Sequence, residues 1–140
     1  MALKLSVAVR DAQNDAIETV VSTTPKLQLW SGTIPASCAA ADAGDGAKLC
    51  EIALPSDWMA ASSGGVKAKS GTWTDVVLAA AGTGTNVTHF RLKNSAGTTC
   101  HAQGTVTVTG GGGDMTMDNV SVAQNQAVTV NTFSLTAGNA

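Results

Sequence analysis

Three cysteines and two histidines have the most specific chemistry in this chain: Cys38, Cys50, Cys100, His89 and His101. Thiolate and imidazole groups bind zinc, and a thiolate held against a histidine is the nucleophile of thiol enzymes. None of these residues shows zinc-knuckle spacing, and the adjacent Cys100 and His101 would point to opposite faces of a strand. We therefore predict no metal site. The cysteines are interpreted as small apolar core residues, with a Cys38–Cys50 disulfide across a loop as the alternative.

The carboxylates, serines and glycine-rich loops give no stronger indication of catalysis than the cysteines and histidines do. Asp11 and Asp15 are one helical turn apart, which would suit an acid–base pair, but we interpret them as part of a solvated helix face. The serines lack the nucleophile-elbow pattern, and the glycine-rich segments 82–85 and 110–113 do not lead into the Lys-Ser/Thr helix start that binds phosphate. We predict neither an enzyme nor a cofactor-binding protein.

Three tryptophans, Trp30, Trp58 and Trp73, occur in a chain that has no tyrosine. Tryptophan can fill a core, anchor a protein interface or stack on a sugar ring, and all three roles remain open here. Trp73 lies between threonines in a strand-like segment, which favours the core. Trp58 and Met59 lie in a loop, so we predict that they contact another protein.

A helix over residues 5–21 is the first element that must position these groups. Its apolar residues recur at steps of three and four and so share one face: Leu5, Ala8, Ala12, Ala16, Ile17 and Val20. We predict Leu5, Ala12 and Ala16 as further interface residues.

From residue 26 the hydrophobic period changes to two, as in Thr105 to Thr109, and about eight short strands follow up to residue 135. Short strands with regular turn signals predict an all-β sandwich or barrel. The long segments 31–47 and 55–66 are the binding-loop candidates. We predict a single domain over 1–140 with a C-terminal tail at 136–140.

Composition limits the classes of partner. The chain of 140 residues has a net charge of −2 and only 13% charged residues, which excludes the basic footprint of a nucleic-acid-binding protein. No apolar run is long enough for a membrane span, and the N-terminus does not resemble a signal peptide, so we expect synthesis in a cytoplasm. A surface so poor in charge is easily desolvated, which suits a protein packed in an assembly.

Six stretches together resemble a known family of small phage structural proteins. They are 1–6, the helix positions 11 and 15–17, and the segments 31–42, 54–61, 89–101 and 133–140. Over nearly the whole chain the sequence is similar to capsid cementing (decoration) proteins of tailed bacteriophages. These motifs are not catalytic, so the resemblance carries no site residue with it.

The resemblance implies a jelly-roll-like antiparallel β-sandwich and a structural role in the virion. It implies a homodimer on the outer capsid surface that binds the major capsid protein and cements neighbouring capsomers non-covalently. The alternative is a β-sandwich module on the tail or particle surface that binds host glycans through exposed tryptophan. The interface candidates remain Leu5, Ala12, Ala16, Trp58 and Met59.

Overall fold

The computed structural model describes residues 3–42 and 44–138. These residues form one α-helix, a short 3₁₀ turn (Ala79–Ala81) and ten strands. The bounds are α1 (Val7–Val21), β1 (Lys26–Trp30), β2 (Lys48–Ala53), β3 (Val66–Ala68), β4 (Thr74–Val76), β5 (Thr85–Asn86), β6 (His89–Lys93), β7 (Cys100–Val108), β8 (Met115–Met117), β9 (Ser121–Val122) and β10 (Ala127–Thr136).

The N-terminal helix begins two residues later than predicted and ends where predicted. Ser6 caps it, because its hydroxyl oxygen accepts a hydrogen bond from the Val9 amide at 3.3 Å. Ser22 ends it with a positive φ of 69°, and the Ser22 amide donates to the Glu18 carbonyl.

Eight strands of the described residues form one mixed sheet in the order β2-β1-β6-β7-β8-β10-β3, with β4 also paired to β10. The pair β7–β8 is parallel, and the other pairs of this sheet are antiparallel. The sheet curls into a half-barrel, while β5 and β9 form a separate two-stranded sheet.

The mainly β class with one N-terminal helix is therefore confirmed, but the strands are not clearly arranged as a jelly-roll sandwich. The length of β10 is the reason. Its first part pairs with β4, its middle with β8 and its end with β3, so one strand joins segments that a sandwich would separate into two sheets.

The parallel pair β7–β8 is connected by only residues 109–114, although parallel neighbours usually need a crossover of a dozen residues or more. The glycine run makes this possible. The Gly113 amide donates to the Thr107 hydroxyl at 3.0 Å, and a Cβ at Gly113 would lie only 2.8 Å from that oxygen. The connection is thus packed against β7.

The two faces of the sheet differ in polarity, as the period of two predicts. On one face, cross-strand rows such as Ile52–Leu27–Leu92 point into the core, where they are buried with Trp58 and Trp73. The opposite face carries the intervening polar residues and lies outside this core.

Candidate functional site

Helix α1 docks on the body of the protein through polar side chains. An Asp11 carboxylate oxygen accepts hydrogen bonds from the Gly65 amide at 2.7 Å and the Ser62 hydroxyl at 3.0 Å. Asn14, only 2% exposed, donates from Nδ2 to the Gly65 carbonyl at 2.9 Å. The inner face of α1 therefore binds the turn before β3 by hydrogen bonds, and Asp11 lies in this contact rather than on a solvated helix face.

A buried lysine completes the docking. Lys67 of β3 places its ammonium 2.7 Å from Asp15 and 2.8 Å from Glu18, with its side chain only 4% exposed. Burial alone would lower the pKa of Lys67, but the two carboxylates outweigh it, and the pKa is raised above its ordinary value. The lysine is therefore held charged against the helix.

The apolar residues of α1 face outward as a consequence. We call the following exposed set the outer helix face: Ala8, Val9, Ala12, Ala16, Ile17 and Val20. A surface helix normally buries its apolar stripe against the core, and α1 does the reverse. Val20 is 67% exposed, so this face offers uncompensated apolar area to solvent.

The predicted interface residues Ala12 and Ala16 both lie on the outer helix face. Leu5 precedes the helix and is half-buried. Toward the helix C-terminus the face continues into a shallow apolar groove of about 270 Å³, lined by Ala16, Ile17, Val20, Val21 and His101.

The other predicted interface residues, Trp58 and Met59, belong to the core. Trp58 is 0% exposed, its indole N–H donates to the Ser22 carbonyl at 3.0 Å, and its ring lies 6.2 Å from that of Trp73. Met59 is 2% exposed, and its backbone forms an isolated antiparallel β-bridge with Lys69. Neither side chain is on the surface of the chain, because the loop that carries them folds inward and reaches the Ser22 carbonyl at the end of α1.

The fates of the other two tryptophans differ. Trp73 is buried, as its strand-like context favours, and packs 5.6 Å from the Phe133 ring. Trp30 is half-buried on the polar face of the sheet, where its indole N–H donates to the Gln28 side chain at 3.3 Å. Of the three tryptophans, Trp30 alone is exposed enough to contribute to a glycan-binding site.

The polar face of the sheet is organised as cross-strand rows. Glu51, Gln28, Arg91 and Gln103 lie directly opposite one another on β2, β1, β6 and β7. Burial raises the pKa of Glu51, but hydrogen bonds from Lys48, Lys26 and Gln28 outweigh it and hold that pKa at about 2. Glu51 is therefore ionised at neutral pH.

Residues 31–42, which we call the clasp, cover part of this polar face. The Arg91 guanidinium donates to the carbonyls of Cys38 and Ala40 at 3.0 Å each, and both Arg91 and Lys93 pair with Asp42. Burial raises the pKa of Asp42, but these two cations outweigh it and lower the pKa below its ordinary value. The clasp is thus bound to β6 mainly by charge-assisted contacts.

Beneath the clasp three buried polar atoms have no hydrogen-bond partner among the described residues. They are His89 Nε2, Arg91 Nε and Gln103 Oε1. Burial, followed by the charge of Arg91, also lowers the pKa of His89, which keeps its imidazole neutral.

The cysteines pair differently from either prediction. Cys38 of the clasp and Cys100 of β7 form a disulfide with Cα atoms 5.1 Å apart, so the alternative Cys38–Cys50 bridge is wrong. Cys50 is the buried core residue that we predicted, and burial raises the pKa of its thiol to about 12. The sequence gives no direct sign of the pairing, because it arises only when β1 and β7 flank β6.

Within the described part of the chain, no three His, Cys, Asp or Glu side chains meet as a metal site requires. Nor does any described helix combine the length and hydrophobicity needed to cross a bilayer.

The predicted tail at 136–140 is described only in part. Thr136 ends β10, and the Ala137 carbonyl accepts a hydrogen bond from Arg10 of α1 at 3.3 Å. Asn139 and Ala140 lie outside the described residues.

Comparison of the chain with protein-family models, curated proteins and solved structures finds no match.

Proposed function

We propose that this chain is a structural protein that cements a phage capsid: a homodimer on the outer shell surface that binds the major capsid protein and joins neighbouring capsomers non-covalently. The observation that carries the proposal is the outer helix face, an apolar surface held toward solvent by the polar docking of α1. The resemblance described above supports it and adds the jelly-roll arrangement as an expectation.

The outer helix face is suited to contact between proteins. Its six defining residues carry no charge, so two copies meet there without electrostatic repulsion, and a two-fold axis would present the same patch twice. The small side chains of Ala8, Ala12 and Ala16 allow another backbone to approach closely.

The size of this face predicts a weak individual contact. A helix of 15 residues is about 22 Å long and about 10 Å wide, so its footprint is roughly a quarter of the ~800 Å² per partner of a standard interface. A cementing protein can use weak contacts, because a dimer that holds two capsomers gains from the effective concentration of its second contact.

The first test is the copy number of this chain in purified virions, counted against the major shell protein by quantitative mass spectrometry. A ratio near one to one is expected. A handful of copies would overturn the cementing role and favour a tail module that binds glycans through Trp30.

The second test asks whether the outer helix face makes the contact. Ala16→Glu places a charge on it, and Ala80→Glu places the same charge at an exposed alanine outside α1. We expect Ala16→Glu alone to weaken self-association in sedimentation velocity, or rebinding to shells stripped of the protein, by at least tenfold. Equal behaviour of the two variants in both assays would remove the outer helix face from the proposal.

A further inference from the structure

The Cys38–Cys100 disulfide links the clasp, residues 31–42, to the sheet and lies outside the hydrophobic core. Both cysteines are half-buried, and both line an open hollow of about 730 Å³ together with Asp42, Arg91 and Lys93. Reagents that exchange thiols can therefore reach the sulfur atoms. Positive charge in the hollow also favours the thiolate, which is the form that attacks or leaves in such exchange.

Residues 31–42, the clasp, cover polar groups of the sheet. His89 Nε2, Arg91 Nε and Gln103 Oε1 lie buried without hydrogen-bond partners among the described residues. Without the bond, the Asp42 ion pairs and hydrogen bonds to the carbonyls of Pro35, Cys38 and Ala40 would still hold the clasp on this face. At its start, the Gly32 carbonyl also accepts a hydrogen bond from the Thr88 hydroxyl at 2.6 Å, and Thr33 donates to Asp45. After loss of the covalent bond, only hydrogen bonds and ion pairs would hold the clasp, and water competes for the same polar groups.

We propose that Cys38–Cys100 is a redox latch: the disulfide holds residues 31–42 closed over the polar face of the sheet, and its reduction releases them while the sheet stays folded. The apolar core lies on the opposite face and does not include either cysteine, so it does not depend on the latch. The inference is independent of the proposed cementing role.

The chemistry of the latch is ordinary thiol–disulfide exchange. On closing, each of the two thiols gives up one electron and one proton, and glutathione disulfide takes them up to become two glutathione thiols. On opening, a dithiol supplies both electrons and both protons and itself closes to a cyclic disulfide. Because cytosol keeps thiols reduced and extracellular surroundings do not, the state of the clasp would follow the compartment.

Thiol counting provides the first test. The chain has three cysteines, so folded protein oxidised with glutathione disulfide, freed of the reagent and then denatured should show one reactive thiol, from Cys50, and three after reduction. A Cys50→Ala variant should show none and then two. Three thiols in the wild type after treatment with glutathione disulfide would overturn the proposal.

Hydrogen exchange monitored by mass spectrometry provides the second test, on the folded full-length protein before and after dithiothreitol. We expect amides of residues 31–42 to exchange at least tenfold faster after reduction, while those of β6 and β7 keep their protection. Cys38→Ser and Cys100→Ser should each reproduce the reduced pattern, and Cys50→Ala should respond as the wild type does.

Two results would contradict the latch. Unchanged exchange in 31–42 would show that the non-covalent contacts suffice to hold the clasp. Loss of protection throughout the chain would show that the whole fold, rather than the clasp alone, depends on the disulfide. Because reduction of folded wild type is measured directly, failure of a serine variant to fold does not prevent the test.

Discussion

The ammonium of Lys67 on β3 lies 2.7 Å from the carboxylate of Asp15 on α1, with the lysine side chain almost fully buried and the aspartate 57% exposed. This pair, with Glu18 beside it, fixes which side of the helix meets the sheet. An apolar stripe would otherwise turn inward. The charges of the inner face thus determine that the outer helix face is available to a partner.

Replacement of Lys67 by methionine should lower the free energy of unfolding by about 1–2 kcal/mol. This is less than the 3–5 kcal/mol typical of breaking a fully buried pair, because the exposed fraction of Asp15 lets its carboxylate regain water. Urea denaturation measures the effect, with the exposed Lys4→Met as control. Equal stability of the two variants would show that the ion pair does not anchor α1.

Two adjacent glycines in the turn before β3 allow a matched test of how α1 packs on that turn. Gly64 and Gly65 both have positive φ, of 66° and 83°, so alanine strains either position. A Cβ at Gly64 would meet nothing within 4 Å, whereas one at Gly65 would lie 2.5 Å from the Arg10 guanidinium and 3.1 Å from the Ala137 carbonyl.

We therefore expect Gly64→Ala to cost about 1 kcal/mol in urea denaturation and Gly65→Ala about 1 kcal/mol more, because the Arg10 guanidinium must move aside and lose its hydrogen bond to the Ala137 carbonyl. The difference between them measures how closely α1 packs on the turn. If both variants lost the same stability, backbone strain alone would explain the loss and the helix would sit more loosely than the structure shows.

The sequence predicts the elements of this protein better than their orientation. Leu27 and Leu92 occupy apolar positions in alternating strands and are buried in the core, because period two is a property of each strand alone. The periodicity of α1 identifies its apolar stripe but not the direction it faces, since that depends on Lys67, 52 residues away from Asp15.

Loops limit prediction for the same reason. Residues 54–64 carry no period, so nothing local shows that Trp58 turns inward to reach the Ser22 carbonyl. The disulfide is equally non-local, because Cys38 and Cys100 are 62 residues apart and meet only after the strands between them have paired.

Acid should destabilise the protein partly through Glu51. Its pKa falls from 4.5 to about 2 on folding, so its contribution to stability is complete above pH 4.5 and is lost as the pH falls toward 2. A shift of this size corresponds to about 3 kcal/mol at most, and solvent screening at a side chain 23% exposed reduces this to about 1–2 kcal/mol.

Comparison of wild type with Glu51→Gln at pH 6 and pH 3 isolates this contribution, because titration of His89 and Asp42 is common to both proteins. We expect the wild type to lose about 1–2 kcal/mol more than the variant across that interval, measured by urea denaturation. Parallel losses would show that Lys26 and Lys48 do not hold the carboxylate in its ionised form.

Substitution of Trp58 distinguishes a role of this residue in the core from a role in a protein interface. Its indole is fully buried against Trp73, so Trp58→Ala should lower the free energy of unfolding by about 3–5 kcal/mol through lost burial and the cavity that remains. The half-buried Trp30→Ala is the comparison and should cost about 1–2 kcal/mol. Urea denaturation gives both values, and sedimentation velocity on the folded Trp58→Ala protein should show unchanged self-association. A variant with wild-type stability but weakened association would instead return Trp58 to the surface and restore its loop as the interface.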